Sequence, residues 1–218
     1  MIKALLFDLD GVLTDTERLG GKMIDQAARL QGFSITEEEW KPLVGIPMIK
    51  TAHAIARKHP SADIPRLMED WKCITLNTVK TNGVPEKEGA SALLHYLKGK
   101  GFLLGLCTNN TRSVVSEYLK LLSWDSLFDV ILCADDVKER KPAPDTYLLA
   151  ASRLSCDPRE CAGIEDSTAG LLSVHHAGMH SILIPDLVDV PEDTPRDITL
   201  PNLCALPKHL ESLNKKEG

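Results

Sequence analysis

Five short, largely apolar runs recur along the chain: residues 2–7, 102–107 (FLLGLC), 130–133 (VILC), 161–164 and 181–184 (SILI). A strand with one wet face alternates apolar and polar residues, whereas a strand covered on both faces reads as a continuous apolar run. The runs therefore predict strands of a parallel sheet with helices on both sides. Between them the periodicity changes to that of a helix. Val114, Val115, Tyr118, Leu119 and Leu122 form one stripe, Tyr147, Leu148, Ala151 and Leu154 a second, and Leu171, Leu172, Val174 and His175 a shorter third. Alternation of strand and helix from about 89 to 184 is the pattern of a Rossmann-like, doubly wound α/β fold.

One interval breaks the alternation. Between the first run and a helix expected at 89–99 lie some seventy residues with no strand pattern. Helices are expected there at 19–31, 37–43, 48–58 and 64–78. Thr36 followed by Glu39 reads as a capping box, and Pro60, Pro65 and Pro85 punctuate the segment. The expected organisation is a discontinuous α/β core, 1–15 with 86–218, interrupted by an all-helical insert at 16–85. After residue 185 the chain is rich in Pro and Asp, then predicts a short helix at 206–213 and a frayed KKEG end.

Composition narrows the function classes. A chain of 218 residues can bury a full core without disulfide or metal staples. Acids outnumber bases 31 to 25, and aromatics are 5% of the chain. Neither a basic face nor a supply of stacking platforms is available, so a nucleic-acid partner is not expected. Six cysteines include no CxxC pair and no histidine cluster at zinc spacing. They read as reduced thiols, with Cys107 and Cys133 buried at run ends. The opening MIKALLFDLDGVLTD meets acids by Asp8, too early for a secretion signal, and no apolar run reaches membrane length. No membrane partner is expected, and a cytoplasmic location is. Protein partners stay unspecified. Trp40, Trp71 and His53 read as packed residues of the helical insert, and His175 and His176 as structural.

The chemistry sits at the ends of the apolar runs. The first ends in Phe7-Asp8-Leu9-Asp10-Gly11. In an extended chain the two carboxylates point to opposite faces. A turn at Gly11 would let both reach the crevice at the strand's carboxyl end, where open α/β sheets place ligands. One could then serve as nucleophile and the other as general acid, with a divalent cation offsetting their repulsion. DxDG also resembles the start of a calcium loop, but position 12 of that loop would be Leu19 rather than glutamate. The second run ends in Thr108-Asn109-Asn110, a hydroxyl and backbone N–H groups suited to a phosphate or to capping the helix that follows. Lys141 stands in Arg140-Lys141-Pro142-Ala143-Pro144, where two prolines stiffen the backbone. The fourth run ends in Glu165-Asp166-Ser167, hard oxygen donors that suit Mg²⁺ or a helix N-terminus.

DLDGVLTDTE, CTNN, KPAPDTY and GIEDSTAG, in that order, resemble the four motifs of the haloacid dehalogenase-like hydrolases. The helical insert after the first motif is similar to the cap of the subgroup that includes β-phosphoglucomutase and phosphoglycolate phosphatase. The resemblance covers about 1–185. It implies Asp8 as a nucleophile that forms an aspartyl-phosphate, and Asp10 as the acid that protonates the leaving oxygen and then the base that activates water. It implies Thr108 and Asn109 as phosphate ligands, together with Lys141, which neutralises charge. It implies Asp8, Asp10 through its carbonyl, Glu165 and Asp166 around Mg²⁺. Residues 14–17 and 82–88 would be the hinges of a closing cap, with Gly45 and Arg18 as candidate substrate contacts.

The same resemblance sorts the reactions. Asp10 argues against a dehalogenase, which has no alkoxide to protonate. Mutase members are expected to carry a cap histidine, where this chain has Gly20 and Gly21, and basic residues about the cap loop, where it has Val44 and Met48. A phosphonatase needs a Schiff-base lysine, and Lys22, Lys41 and Lys50 stand in no such context. The expectation is a Mg²⁺-dependent phosphatase acting on a small phosphorylated metabolite. The alternatives are a sugar-phosphate mutase and a catalytically silent phospholigand-binding protein.

Overall fold

The computed structural model describes residues 1–46 and 48–216. Contacts divide the chain into two compact units, Met1–Thr14 with Glu86–Gly218, and Asp15–Pro85.

The first unit is built on a parallel sheet. In chain order the strands are β1 (Ala4–Phe7), β2 (Leu103–Cys107), β3 (Val130–Leu132), β4 (Cys161–Glu165), β5 (His180–Leu183) and β6 (Ile198–Thr199). Among the described residues the spatial order is β3-β2-β1-β4-β5-β6. The Rossmann-like α/β fold expected from the apolar runs is the fold observed.

Alternation along β1 explains why its sequence is apolar throughout. Leu5 and Phe7 point into one layer, with Leu93, Leu94 and Leu97 of helix Ala90–Gly99 and with Val115 and Leu119 of helix Arg112–Leu122. Ala4 and Leu6 point into the other, with Tyr147, Ala150 and Ala151 of helix Asp145–Arg153 and with Val174 of helix Thr168–His176. Both faces are dry, so neither can carry a polar residue without a partner.

The second unit is helical, with α1 (Thr16–Arg29), α2 (Glu37–Trp40), α3 (Met48–Lys58) and α4 (Ile64–Asn82). The capping box at α2 is present: Thr36 accepts from the Glu39 N–H while Glu39 accepts from the Thr36 N–H. Trp40 and Trp71 are buried and meet edge to face at 5.9 Å. The Trp40 indole also lies on α1, where its N–H donates to the Glu17 carbonyl at 3.0 Å. A Cβ at Gly21 would fall 2.6 Å from that ring. The glycine admits the indole, and larger residues at that place are excluded by packing.

The remaining helices are α5 (Ala90–Gly99), α6 (Arg112–Leu122), α7 (Asp145–Arg153), α8 (Thr168–His176) and α9 (Leu206–Lys216). Several expectations are corrected. Strand β6 was not expected; two residues between Pro- and Asp-rich segments carry no periodicity. Helix α1 starts at Thr16, three residues earlier than its apolar stripe, and α4 runs on to Asn82. His53 is exposed rather than packed. Pro47, which falls in the cap loop expected at 44–48, and the last two residues of the KKEG end lie outside the described residues. Among the described residues no helix is long and apolar enough to cross a membrane, and the six cysteines form no disulfide. Burial raises the thiols of Cys133 and Cys161 to about 11 and about 12, which keeps them protonated and unreactive.

Leu97 is fully buried on α5. Leu97→Ala should lower the unfolding free energy by about 2–5 kcal/mol, read from urea denaturation as a shifted midpoint with an unchanged slope.

Candidate active site

Strand register decides which side chains meet. Phe7 of β1 lies beside Leu106 of β2 and Ile164 of β4. One residue further on, Asp8, Cys107 and Glu165 therefore line up across three adjacent strands. All three sit in phase with Ala4, Leu6 and Cys161, on the α7–α8 side of the sheet. The Asp8 N–H continues the ladder to the Ile164 carbonyl at 3.0 Å, so this carboxylate is still held by the sheet.

Lys141 enters the same layer from the loop before α7. Its Nζ donates to Asp8 Oδ1 at 2.6 Å, to Glu165 Oε1 at 2.6 Å and to the Cys107 carbonyl at 2.7 Å. An ammonium has three protons, and here each has an acceptor from a different strand. Burial alone would lower its pKa, but the charges of Asp8 and Glu165 outweigh that and raise it, so Lys141 stays charged. Glu165 is fully buried, and its Oε1 also accepts the Tyr147 hydroxyl at 2.5 Å. Burial raises the Glu165 pKa, and the neighbouring negative charge of Asp8 adds to this against the pull of Lys141. Burial and the charge of Glu165 push the Tyr147 phenol well above its ordinary value, so it remains a donor. Lys141 Nζ stands 5.2 Å from the centre of the Tyr147 ring.

Asp10 and Asp166 reach the site through turns. After Asp8 the chain doubles back: the N–H groups of Leu13 and Thr14 both donate to the Leu9 carbonyl at 2.9 Å. Gly11 has φ +79°, and a Cβ there would lie 2.0 Å from Asp166 Oδ2. The left-handed backbone and the closeness of the carboxylate both require glycine. Asp10 Oδ2 accepts from Asn110 Nδ2 at 2.7 Å. On the other side Asp166 leads into α8, whose N-cap Ser167 accepts from the Gly170 N–H at 3.1 Å. A Cβ on Gly170 would fall 1.9 Å from Glu165 Oε2, so that glycine leaves room for the buried carboxylate beneath the helix.

Asp8, Glu165 and Asp166 each offer a carboxylate oxygen, and these oxygens lie within 4.8 Å of one another. Two of these carboxylates, Asp8 and Glu165, share one ammonium, and all three donors are hard oxygens. That set fits Mg²⁺. Thr108 is buried, and its Oγ1 accepts from the Asn110 N–H at 3.1 Å, which leaves the hydroxyl proton to be donated elsewhere. Asn109 is exposed, and its Oδ1 accepts from the Lys141 N–H at 3.2 Å. The α/β unit thus brings together Asp8, Asp10, Thr108, Asn109, Lys141, Glu165 and Asp166. Arg18 and Gly45 belong to the helical unit. Arg18 is exposed and pairs with Asp15 at 2.6 Å, and Gly45 is exposed in a turn at φ +73°.

Sequence reasoning missed Asn110, Tyr147 and Gly170. Tyr147 was read only as part of an apolar stripe, which it also is. Asn110 carried a signal, because a run of polar residues at a strand end has more than one side chain to place. For Gly170 there was none, since nothing local shows that an acid five residues earlier tucks under the helix.

Comparison with known proteins places the chain in a family. The model of the haloacid dehalogenase-like hydrolases matches residues 5–184. Hexitol phosphatase A of Escherichia coli is 33% identical over 194 residues, 89% of this chain and 86% of that one. The phosphorylated carbohydrates phosphatase of Thermotoga maritima is 30% identical over 186 residues, 83% and 84% of the two chains. In fold, the crystal structure of β-phosphoglucomutase from Clostridium difficile superposes with a TM-score of 0.76 over 99% of each chain, at 24% identity. A family match over this span, together with a strand-end aspartate and a lysine shared by two carboxylates, makes the chain a member of the haloacid dehalogenase-like hydrolases.

Proposed function

We propose that the chain is a Mg²⁺-dependent phosphatase of sugar-phosphate type, which hydrolyses a small phosphorylated metabolite through an aspartyl-phosphate on Asp8. The observation that carries the reading is the Lys141 ammonium bonded at once to Asp8 and Glu165. It orients the proposed nucleophile and offsets part of the negative charge around it, which an attack on an anionic phosphoryl group requires.

Thr108 and Asn109 bind the phosphoryl oxygens, and Lys141 offsets the charge that gathers on them. An Asp8 carboxylate oxygen attacks phosphorus, and the bond from phosphorus to the ester oxygen breaks. Asp10 gives its proton to that departing oxygen. In the second half, Asp10 takes a proton from water as the water oxygen attacks the phosphoryl group. The bond between phosphorus and the Asp8 oxygen breaks, Asp8 returns to a carboxylate, and inorganic phosphate leaves. Asp8, Asp166, Glu165 and the Asp10 carbonyl would hold Mg²⁺, which supplies positive charge where the phosphate must sit. The division into a core at 1–15 with 86–218 and a helical cap at 16–85 belongs to the same proposal. Gly45 and Arg18 are the cap residues to test for substrate choice.

The Trp40 indole packed on Gly20 and Gly21 favours hydrolysis over a mutase reaction, because it occupies the place where a cap histidine is expected. The complete acid set speaks against a silent binding protein.

Phosphate release from a panel of sugar and polyol phosphates with Mg²⁺ tests the reading. Asp8→Asn should reduce release to background, and retained turnover would overturn the nucleophile assignment. Asp10→Asn should slow an alkyl phosphate by about 10²–10⁴-fold and p-nitrophenyl phosphate far less, since an acidic phenol leaves without a proton. Chelation should abolish release. Mg²⁺ should also raise the melting temperature of the wild-type chain by mass action but not that of Asp166→Asn. Equal stabilisation of both chains would remove Asp166 from the metal site.

A further inference from the structure

We propose that Asn110 is the positioning residue for Asp10, holding its carboxyl group in one orientation through both halves of the reaction. The proposal rests on the phosphatase reading of Asp10.

Asn110 is pinned at both backbone groups. Its N–H donates to Thr108 Oγ1 at 3.1 Å, and its carbonyl accepts from the Ala134 N–H at 2.8 Å. The next turn is tied down as well, with the Arg112 N–H donating to Asp135 Oδ2 at 2.7 Å. A side chain on so fixed a backbone has little freedom. It spans 100 residues of sequence to place Nδ2 2.7 Å from Asp10 Oδ2. The amide's orientation follows from chemistry: the other way round, its carbonyl oxygen would face the carboxylate, acceptor against acceptor.

A donor aimed at Oδ2 fixes the orientation of the Asp10 carboxyl group, with that oxygen as acceptor. The bond survives both protonation states. In the acid, Oδ2 is the carbonyl oxygen of a carboxyl group, and in the base it is half of a carboxylate. Both accept from an amide. A lysine in this place would favour the ionised form and oppose the first half of the reaction. The amide is neutral and holds the plane of the carboxyl group without choosing its charge. Through Thr108 the same residue also sets the phosphate cradle, so acid and cradle are placed by one loop.

The test compares Asn110→Ala and Asn110→Asp with the wild type and with Asp10→Asn, using an alkyl phosphate and p-nitrophenyl phosphate in the presence of Mg²⁺. For Asn110→Ala, kcat/KM for the alkyl ester should fall about 10- to 100-fold, with p-nitrophenyl phosphate changed less than about 3-fold. With the phenyl ester a burst of p-nitrophenol equal to the enzyme should precede a slower steady state, because water activation in the second half is also impaired. Asn110→Asp, which sets a like charge against Asp10, should lose more. A structural role alone would lower both esters equally, and that result, or no change, overturns the proposal. Asn110→Ser, which keeps a short donor, should recover part of the loss and covers the case in which the alanine chain folds poorly. If Asp10→Asn itself shows no dependence on the leaving group, the acid assignment falls. If it does and Asn110→Ala does not, only the positioning role falls.

Discussion

Three acceptors, each from the end of a different strand, surround one ammonium: Asp8 of the β1 end, the Cys107 carbonyl of β2 and Glu165 of β4. Burying a charge costs several kcal/mol unless every proton is met, and each bond here meets one. The rest of the site follows from this arrangement. Two carboxylates can face the same layer only because a cation lies between them. The Tyr147 hydroxyl closes Glu165 from the α7 side, and Gly170 lets α8 pass over it. Removing the lysine would leave two acids in a dry layer with no compensation, so the charge arrangement and the packing of this face cannot be separated.

Adjacent acids in the sequence take different roles because the strand ends between them. Glu165 is the last residue of β4 and points inward in phase with Cys161 and Gly163. Asp166 has left the ladder and sits over Gly11. A similar division separates Asp8, still bonded to the sheet, from Asp10, which a turn has swung towards Asn110. Each pair yields one carboxylate fixed by the sheet and one placed by a turn.

How much of this could be read from the residues depended on whether the signal was local. The continuous apolar runs marked β1 to β5 because burial on both faces leaves no other composition. The capping box at Thr36 and the helical insert were legible for the same local reason. The two-residue β6 was not, since its place at the sheet edge depends on pairing with β5 alone. The positions of Asp8, Lys141 and the acid pair were legible as motifs, but their partners were not. That Lys141 would meet a carbonyl of β2, or that Asn110 would choose Asp10, depends on register between segments far apart in the chain.

The spatial order of the strands has a consequence for synthesis. Of the six strands described, β1 is made before the others and lies inside the sheet, yet its two neighbours start at Leu103 and Cys161. Asp8 and Lys141 are 133 residues apart. A growing chain therefore carries Asp8 without a pairing partner for β1 until Leu103 is made, and without its counter-charge until Lys141, 133 residues on, is made. Contacts of such long range form slowly, and an unpaired apolar strand is the segment most exposed to wrong partners while it waits. The helical segment between β1 and β2 can meanwhile pack on itself, since its own contacts are complete before the sheet's second strand has been made.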